Sequence, residues 1–510
     1  MTTKIIHLAV WLSLFILMAC NDFLTVDPTE YIGEGSFYKN KDDINQAVIA
    51  CYGGLQKCMN NEWFLTELRS DNSRHYVGNS TNQTSKNIYD LDKNRISTNH
   101  AQNEEYWESV YHNIANCNVV LKHLDVVEDE SLKRQYEGEA LFIRSYHYFN
   151  LVRLYGPVFL LTRSAEIDEM KTMERSNVKT VYSQIEEDLK AAINNRLPDK
   201  HSDTDKGRVD VWAAKTLLAK IYMTLERWTE AKALLQDVKE NSGYKLLTTS
   251  YADVFSTANE MNDEILFTVR YKAGGLGLGS PFANNFAPAN SFAFIINSSG
   301  DGFNCPTYDL TQSYDLADRR KNVTLSETWE NGDKPEGERT VYTAYVKKFL
   351  SQVSTKYDAE NDWPILRFAD VLLMLGEVEN ELSGPTTTAL NLLNATRERA
   401  GLAALTGEDI KDRNQYRLAM EKERRLEFAF ENHRFFDLVR TNRFIPVMEA
   451  HYETEQTVNA ANGNLSGCYT DTGNAGSYMS NRTLESWQLI LPIPLSVISV
   501  NESITQNPGY

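Results

Sequence analysis

Apolar residues along most of this chain recur at three- and four-residue spacing, the period of a helix with one buried side. Ile44, Val48, Cys51, Tyr52 and Leu55 predict a helix over 42–60, with a further short helix over 63–68. Tyr106, Val110, Ile114, Cys117, Leu121 and Leu124 predict one over 103–127. Ala140, Leu141, Arg144, Tyr148, Leu151 and Tyr155 predict another over 131–155, which Gly156-Pro157 ends. Two more, over 178–195 and 209–226, flank a polar turn at 198–208.

Within 209–243, Leu218, Ala219, Tyr222 and Ala231 fall at the offsets of a tetratricopeptide unit, with Leu235 inside its second helix. A looser helix pair spans 365–401, with Leu372, Leu375 and Gly376, then Ala389, Leu392, Leu393 and Ala395, around a Gly384-Pro385 turn. Unrelated sequence separates the two pairs, so a regular solenoid is not expected. Strand signals are few: a short strand over 264–270 and a polar hairpin over 326–353 through Gly332 and Gly337. The expected fold class is mostly α, an irregular scaffold of tetratricopeptide-like helical pairs with long loops and a few short strands.

The stretch 419–444 carries two stripes. Leu426, Ala429, Phe430 and His433 form an apolar side. Arg424, Glu427, Glu431, Arg434 and Asp437 repeat at the same spacing and alternate in sign, so neighbours one turn apart are placed to pair. Phe435 and Phe436 add rings among the charges. The reading is one long helix, or two with a break near Asn432-His433, packed on both sides with its ion pairs inside the fold. A solvent-facing charged stripe is the bland alternative. A set of catalytic carboxylates is disfavoured, because each acid has an Arg within one turn to hold it ionised.

Three segments break the helical pattern. Residues 69–100 are rich in Asn and Ser and read as one long loop. Residues 272–306 mix Gly274, Gly275, Gly277, Gly279, Gly300 and Gly302 with Phe282, Phe286, Phe292 and Phe294. These glycines do not fit a phosphate-binding spacing. The loop either packs its own rings or turns them to a ligand, since loops on rigid scaffolds carry function and exposed Phe is costly. Residues 453–485 are a third polar, glycine-rich loop.

Composition narrows the function. The 510 residues exceed one simple core, and a net charge of −18 argues against nucleic acid as a partner. There are 26 Tyr, 21 Phe and 8 Trp, enough for both a core and flat platforms for sugar faces. The scattered cysteines form no CxxC pair, and apart from Cys20 they read as small core residues; no metal and no cofactor is expected. No HExxH, GxSxG, P-loop or EF-hand spacing occurs, so an enzyme is not expected. At the N-terminus Lys4 precedes an apolar run, 5–19, too short to span a bilayer comfortably, which ends Leu17-Met18-Ala19-Cys20. That reads as a signal peptide over 1–19 with a lipobox, and Cys20 as the lipidated residue.

The lipobox, the helix pairs, the block from Glu423 to Glu427 continued by Glu431-Asn-His-Arg434-Phe-Phe-Asp437-Leu-Val-Arg440, the Leu491-Pro-Ile-Pro494 segment and the terminal Gln-Asn-Pro-Gly-Tyr510 together resemble the SusD/RagB family. The resemblance covers 20–510, which we divide into an N-terminal helical half, 20–230, and a C-terminal half, 231–510, holding ligand-facing loops and the Glu427 to Arg440 helix. His433 departs from the glycine often found there. The resemblance implies a surface-exposed lipoprotein of the outer membrane, without enzymatic activity, that captures a nutrient, usually an oligosaccharide or polysaccharide. It implies delivery of that ligand to a TonB-dependent SusC-like transporter. The ligand surface is expected in the loops, with Asp71, Arg74, Tyr76, Phe286 and Phe292 as ligand-binding candidates; Asp71 also reads as a helix cap or turn former. The alternative is a tetratricopeptide-type protein-interaction scaffold that binds no glycan.

Overall fold

The computed structural model describes residues 38–75, 82–461 and 483–510. Cys20 and Tyr76 lie outside them. Helix α1 (Lys41–Thr66) starts at Asn40, whose side chain accepts from the amides of Asp42 and Asp43. Where a separate helix over 63–68 is expected, α1 runs on, because Trp63, Phe64 and Leu65 are buried and hold the last turn to the core. The segment read as one loop over 69–100 contains α2 (Gln83–Asp92), capped by Asn82, with Ile88, Tyr89 and Leu91 buried. Three apolar residues among many Asn and Ser are too weak a periodic signal to stand out in the sequence.

Helices α3 (Ala101–Lys122), α4 (Glu130–Tyr155), α5 (Val178–Ile193), α6 (Val211–Thr224) and α7 (Trp228–Asn241) follow, each packed on the next. Ala231 of α7 is fully buried and lets the α6–α7 pair close. Helix α8 (Phe368–Ser383) lies against α7 and carries α9 (Thr387–Arg399) and α10 (Arg413–Glu427). A Cβ at Gly376 of α8 would sit 2.7 Å from the Tyr416 hydroxyl and 3.2 Å from Leu392, so glycine is what permits this close approach. One apolar core runs through both halves, from Ile44 to Ile504.

Among the described residues the strands form three antiparallel pairs: β1 (Ser73–Arg74) with β3 (Cys305–Pro306), β2 (Ile265–Val269) with β6 (Trp363–Arg367), and β4 (Leu325–Glu330) with β5 (Thr340–Val346). The sequence reading assigns 365–367 to the start of a helix; these residues instead end β6, and the helix begins at Phe368. Among the described residues, no helix is long and apolar enough to cross a membrane.

The 419–444 stretch is two helices. Helix α10 ends at Glu427 and α11 (Arg434–Arg440) begins after a turn in which Phe430 and Asn432 take left-handed backbone, φ +67° and +64°. The charged side chains do not pair mainly along their own helix, as the spacing suggests. Glu427 instead accepts from Arg320 at 3.2 Å, Arg367 at 3.1 Å and Arg399. Glu431 binds Arg367 at 2.7 Å and Lys348 at 2.9 Å, while Arg424 joins Asp370 at 2.7 Å to Asp437 at 2.8 Å. All are buried or nearly so. Burial lifts the Glu427 carboxyl, but Arg399, Arg367 and Arg320 outweigh it and hold it far below the usual range. The turn aims acids at cations from four other segments, Arg320, Lys348, Arg367 and Arg399, and this network is the knot of the fold.

The last residues close the N-terminal helices. Asn507 donates to the carbonyls of Tyr155, at the end of α4, and Leu491, at 2.9 and 2.7 Å. Gln506 both accepts from and donates to the backbone of Ile493. The Tyr510 hydroxyl donates to Ile490, and its ring meets Trp487 edge-on at 4.8 Å.

Candidate ligand-binding face

Four of the five proposed ligand residues can be placed, and three of them are enclosed. Asp71 follows the end of α1, is buried, and accepts from Arg434 at 2.7 and 2.8 Å and from Arg425 at 3.0 Å. Burial raises its carboxyl, and the two arginines override this and hold it well below the usual carboxylate range. Its donors are already in the fold, so it is a structural residue. Arg74 lies on β1, buried, opposite Cys305, with Glu455 of α12 (Phe444–Ala461) 3.8 Å away. Phe286 belongs to a short helix, Phe282–Phe286, and has no exposed surface. It meets Trp63 edge-on at 5.0 Å and lies near Phe282, Phe349 and Trp363. Of the two uses the sequence leaves open for this loop's rings, Phe282 and Phe286 take the core one.

Phe292 is different. It is 54% exposed, and its backbone sits at φ +39°, a conformation an aromatic residue rarely adopts. Asn290, Asn297 and Tyr357 nearby in the same loop system also have positive φ, +64°, +58° and +65°. Such strain persists only where the surroundings impose it, and it gathers where loops present side chains. Phe294, two residues on, is 39% exposed and stacks on Trp329 of β4, ring centres 6.2 Å apart. A Cβ at Gly332 would lie 2.7 Å from the Phe294 ring, so the hairpin tip has room for that ring only because it is glycine.

Backbone bonds hold this loop in place. Ser280 and Ala359 exchange hydrogen bonds of 2.8 and 3.0 Å, and Val353 donates to Ile296 at 2.8 Å. Asn284 is the joint: its oxygen accepts from the Tyr357 amide at 2.7 Å and its nitrogen donates to Ser299 at 2.8 Å. Tyr357 is 45% exposed, with Lys356 over its ring at 4.5 Å, and Lys356 pairs with Asp301 at 2.8 Å. The loop system so tied offers exposed rings, a cation paired with a carboxylate, and backbone fixed from several sides. Tyr342 is also exposed, but it sits opposite Thr328 on β5, so it faces away from the side of the ribbon that carries Trp329. Sequence reasoning named Phe292 and missed Phe294, Trp329 and Tyr357 as a set, because only the folded hairpin brings 329 to 294. The two loops singled out in the sequence are joined at their ends by the β1–β3 ladder, with Ser73 donating to Asn304 at 2.5 Å. That junction is buried, and Phe292 and Phe294 are exposed on the second loop.

Comparison with known proteins decides the assignment. Residues 307–510 match the profile of the SusD family, and residues 22–223 match a profile described as starch-binding, associating with outer membrane. The chain belongs to the SusD family. A SusD-like protein, P25, of Formosa agariphila is 27% identical over 99% of this chain and 100% of its own length. A SusD-like protein of Bacteroides ovatus is 26% identical, over 89% of this chain and 85% of its own length. Among solved structures, a laminarin binding SusD-like protein superposes with a TM-score of 0.75 at 28% identity, covering 93% of this chain and all of that one. A surface glycan-binding protein A from Bacteroides thetaiotaomicron, in complex with laminarihexaose, shares the SusD fold at 20% identity, with a TM-score of 0.73 over 91% of this chain and 99% of that one.

Proposed function

We propose that this protein is a surface glycan receptor: a lipoprotein anchored at Cys20 that captures an oligosaccharide or polysaccharide and hands it to a SusC-like TonB-dependent transporter in the outer membrane. The observation that carries the reading is the pair Phe292 and Phe294, exposed on a strained and well-tied loop and backed by Trp329. Flat rings cover the CH faces of a sugar, and the polar groups beside them serve its hydroxyls. Their exposure has no packing purpose, and a chain of this family gives that surface a natural occupant. The neighbouring laminarin-binding structure makes a neutral β-glucan the first ligand to try. Catalysis is not part of the reading. A glycosidase needs two carboxylates facing each other across a cleft, whereas the conspicuous acids of this chain are committed to arginines.

The test is affinity electrophoresis of the mature protein in gels containing laminarin, starch or other polysaccharides, with a reducing-sugar assay alongside. Retardation by at least one glycan, lost in a Phe292→Ala, Phe294→Ala double variant and without release of reducing ends, is expected. No retardation by any glycan, with tight co-purification of a barrel partner, would favour the protein-interaction scaffold instead.

A further inference from the structure

A second candidate site lies far in sequence from the glycan face, among the helices. A cavity of 190 Å³ opens between α4, α6, β6 and α11. Its wall includes Arg153, whose guanidinium is sandwiched between two rings, 3.7 Å from the centre of Phe149 and 3.5 Å from that of Phe436. Nε donates to the Phe149 carbonyl at 3.0 Å and Nη2 to the Asn150 side chain. Among the described residues Nη1 has no hydrogen-bond partner, and no carboxylate lies within ion-pair distance of Arg153. Sandwiched and only partly used, this guanidinium feels Glu62, which lines the same cavity, but makes no direct ion pair with it, unlike the arginines of the central network.

The other polar wall groups divide in a telling way. The acids are already served: Glu62 accepts from Tyr146, Asn150 and Asn432, and Asp437 accepts from Arg424 and Arg440. The donors have capacity left. Lys220 gives one proton to Asp370 at 2.9 Å and lies 3.2 Å from His433 Nδ1. With Lys220 and Arg424 both directed at Nδ1, that nitrogen is the acceptor and the imidazole proton is on Nε2, which has no partner.

We infer that this cavity binds a small hydroxylated carboxylate, of the size and chemistry of a single sugar acid. Its carboxylate would lie against the open edge of Arg153, where two N–H groups are disposed to grip both oxygens. Ligand hydroxyl oxygens would accept from His433 Nε2 and from the remaining protons of Lys220. Leu217, Met223 and Met374 supply apolar wall for the ring body. Size agrees, since a cavity of roughly 150 Å³ already takes a benzene ring. The wall carries Arg153, Lys220, Arg424 and Arg440 against Glu62, Glu431 and Asp437, a net of one positive charge, which balances a monoanion and leaves a phosphate dianion under-compensated.

Isothermal titration of the mature full chain with glucuronate, glucose and inorganic phosphate tests this. Glucuronate is expected to bind, glucose at least about tenfold more weakly for want of the charge-assisted pair, and phosphate weakest. Arg153→Met keeps an unbranched stem between the two rings and removes the charge; Thr224→Phe fills the cavity from its wall and leaves Arg153 in place. Both variants should lose glucuronate binding at least about tenfold while retaining their mobility shift in laminarin gels, so the glycan face is scored separately. Absent glucuronate binding, glucose binding equal to it, tighter binding of phosphate, or undiminished affinity in Thr224→Phe would each overturn the inference.

Discussion

Arg434 grips Asp71 through two parallel hydrogen bonds, 2.7 and 2.8 Å, across 363 positions of sequence. The contact fastens the turn after α1 to the start of α11, and Arg425 adds a second cation. Breaking a buried pair leaves an unpaired charge behind, at a cost of about 3–5 kcal/mol. Asp71→Ala should therefore lower the urea midpoint clearly rather than weaken glycan binding alone. The pair also sets an acid limit. Because the folded carboxyl titrates below its unfolded value of 3.8, its stabilisation is present above that pH and is lost as pH falls below it. Thermal melts from pH 6 to pH 2 should show this loss, and Asp71→Ala should flatten that limb.

An opposite limb is expected from about pH 4.5 up to about 8. Burial pushes Glu62 up to about 7 and Glu67 up to about 8, against the hydrogen bonds each receives. With folded values above the unfolded 4.5, their contribution is full below that pH and declines as pH rises through 7 and 8. The protein should melt at a higher temperature at pH 6 than at pH 8.5. Glu67→Gln should narrow the difference.

The loop phenylalanines should separate by role. Phe286→Ala removes a ring from a closed aromatic cluster and should destabilise the protein by about 3–5 kcal/mol. Phe292→Ala removes a ring that is mostly in solvent. It should leave the melting temperature within a degree or two and cost roughly 1 kcal/mol of glycan affinity, or about fivefold in Kd. Parallel melts and gel-retardation series on the two variants check this.

Anchoring is tested by labelled palmitate. Incorporation is expected in the wild type and none in Cys20→Ala; equal labelling of the two would refute the anchor.

Much of the fold was readable because long helices repeat their apolar residues many times. The six-helix run from α1 to α7, α2 excepted, follows that pattern closely. What escaped were elements whose meaning depends on distant partners. The β6 residues Trp363 to Arg367 carry no alternation of their own and form a strand only because β2 is beside them. The stripe Arg424, Glu427, Glu431, Arg434, Asp437 looked like neighbours on one helix. The left-handed turn at Phe430 and Asn432 redirects it, and its partners Arg320, Arg367 and Arg399 lie outside the window that helical spacing inspects. At the proposed glycan face the same limit applied. A list of loop phenylalanines does not say which will be buried; Phe286 and Phe292 differ by six positions and lie on opposite sides of that question.

The contacts of Asn507 and Tyr510 also decide where a pull would be felt. Asn507 is bonded to Tyr155 across 352 positions of sequence, and Tyr510 to Ile490 across 20. A tug on residue 510 would therefore load the end of α4 directly, without travelling along the helices that lie between them in the chain.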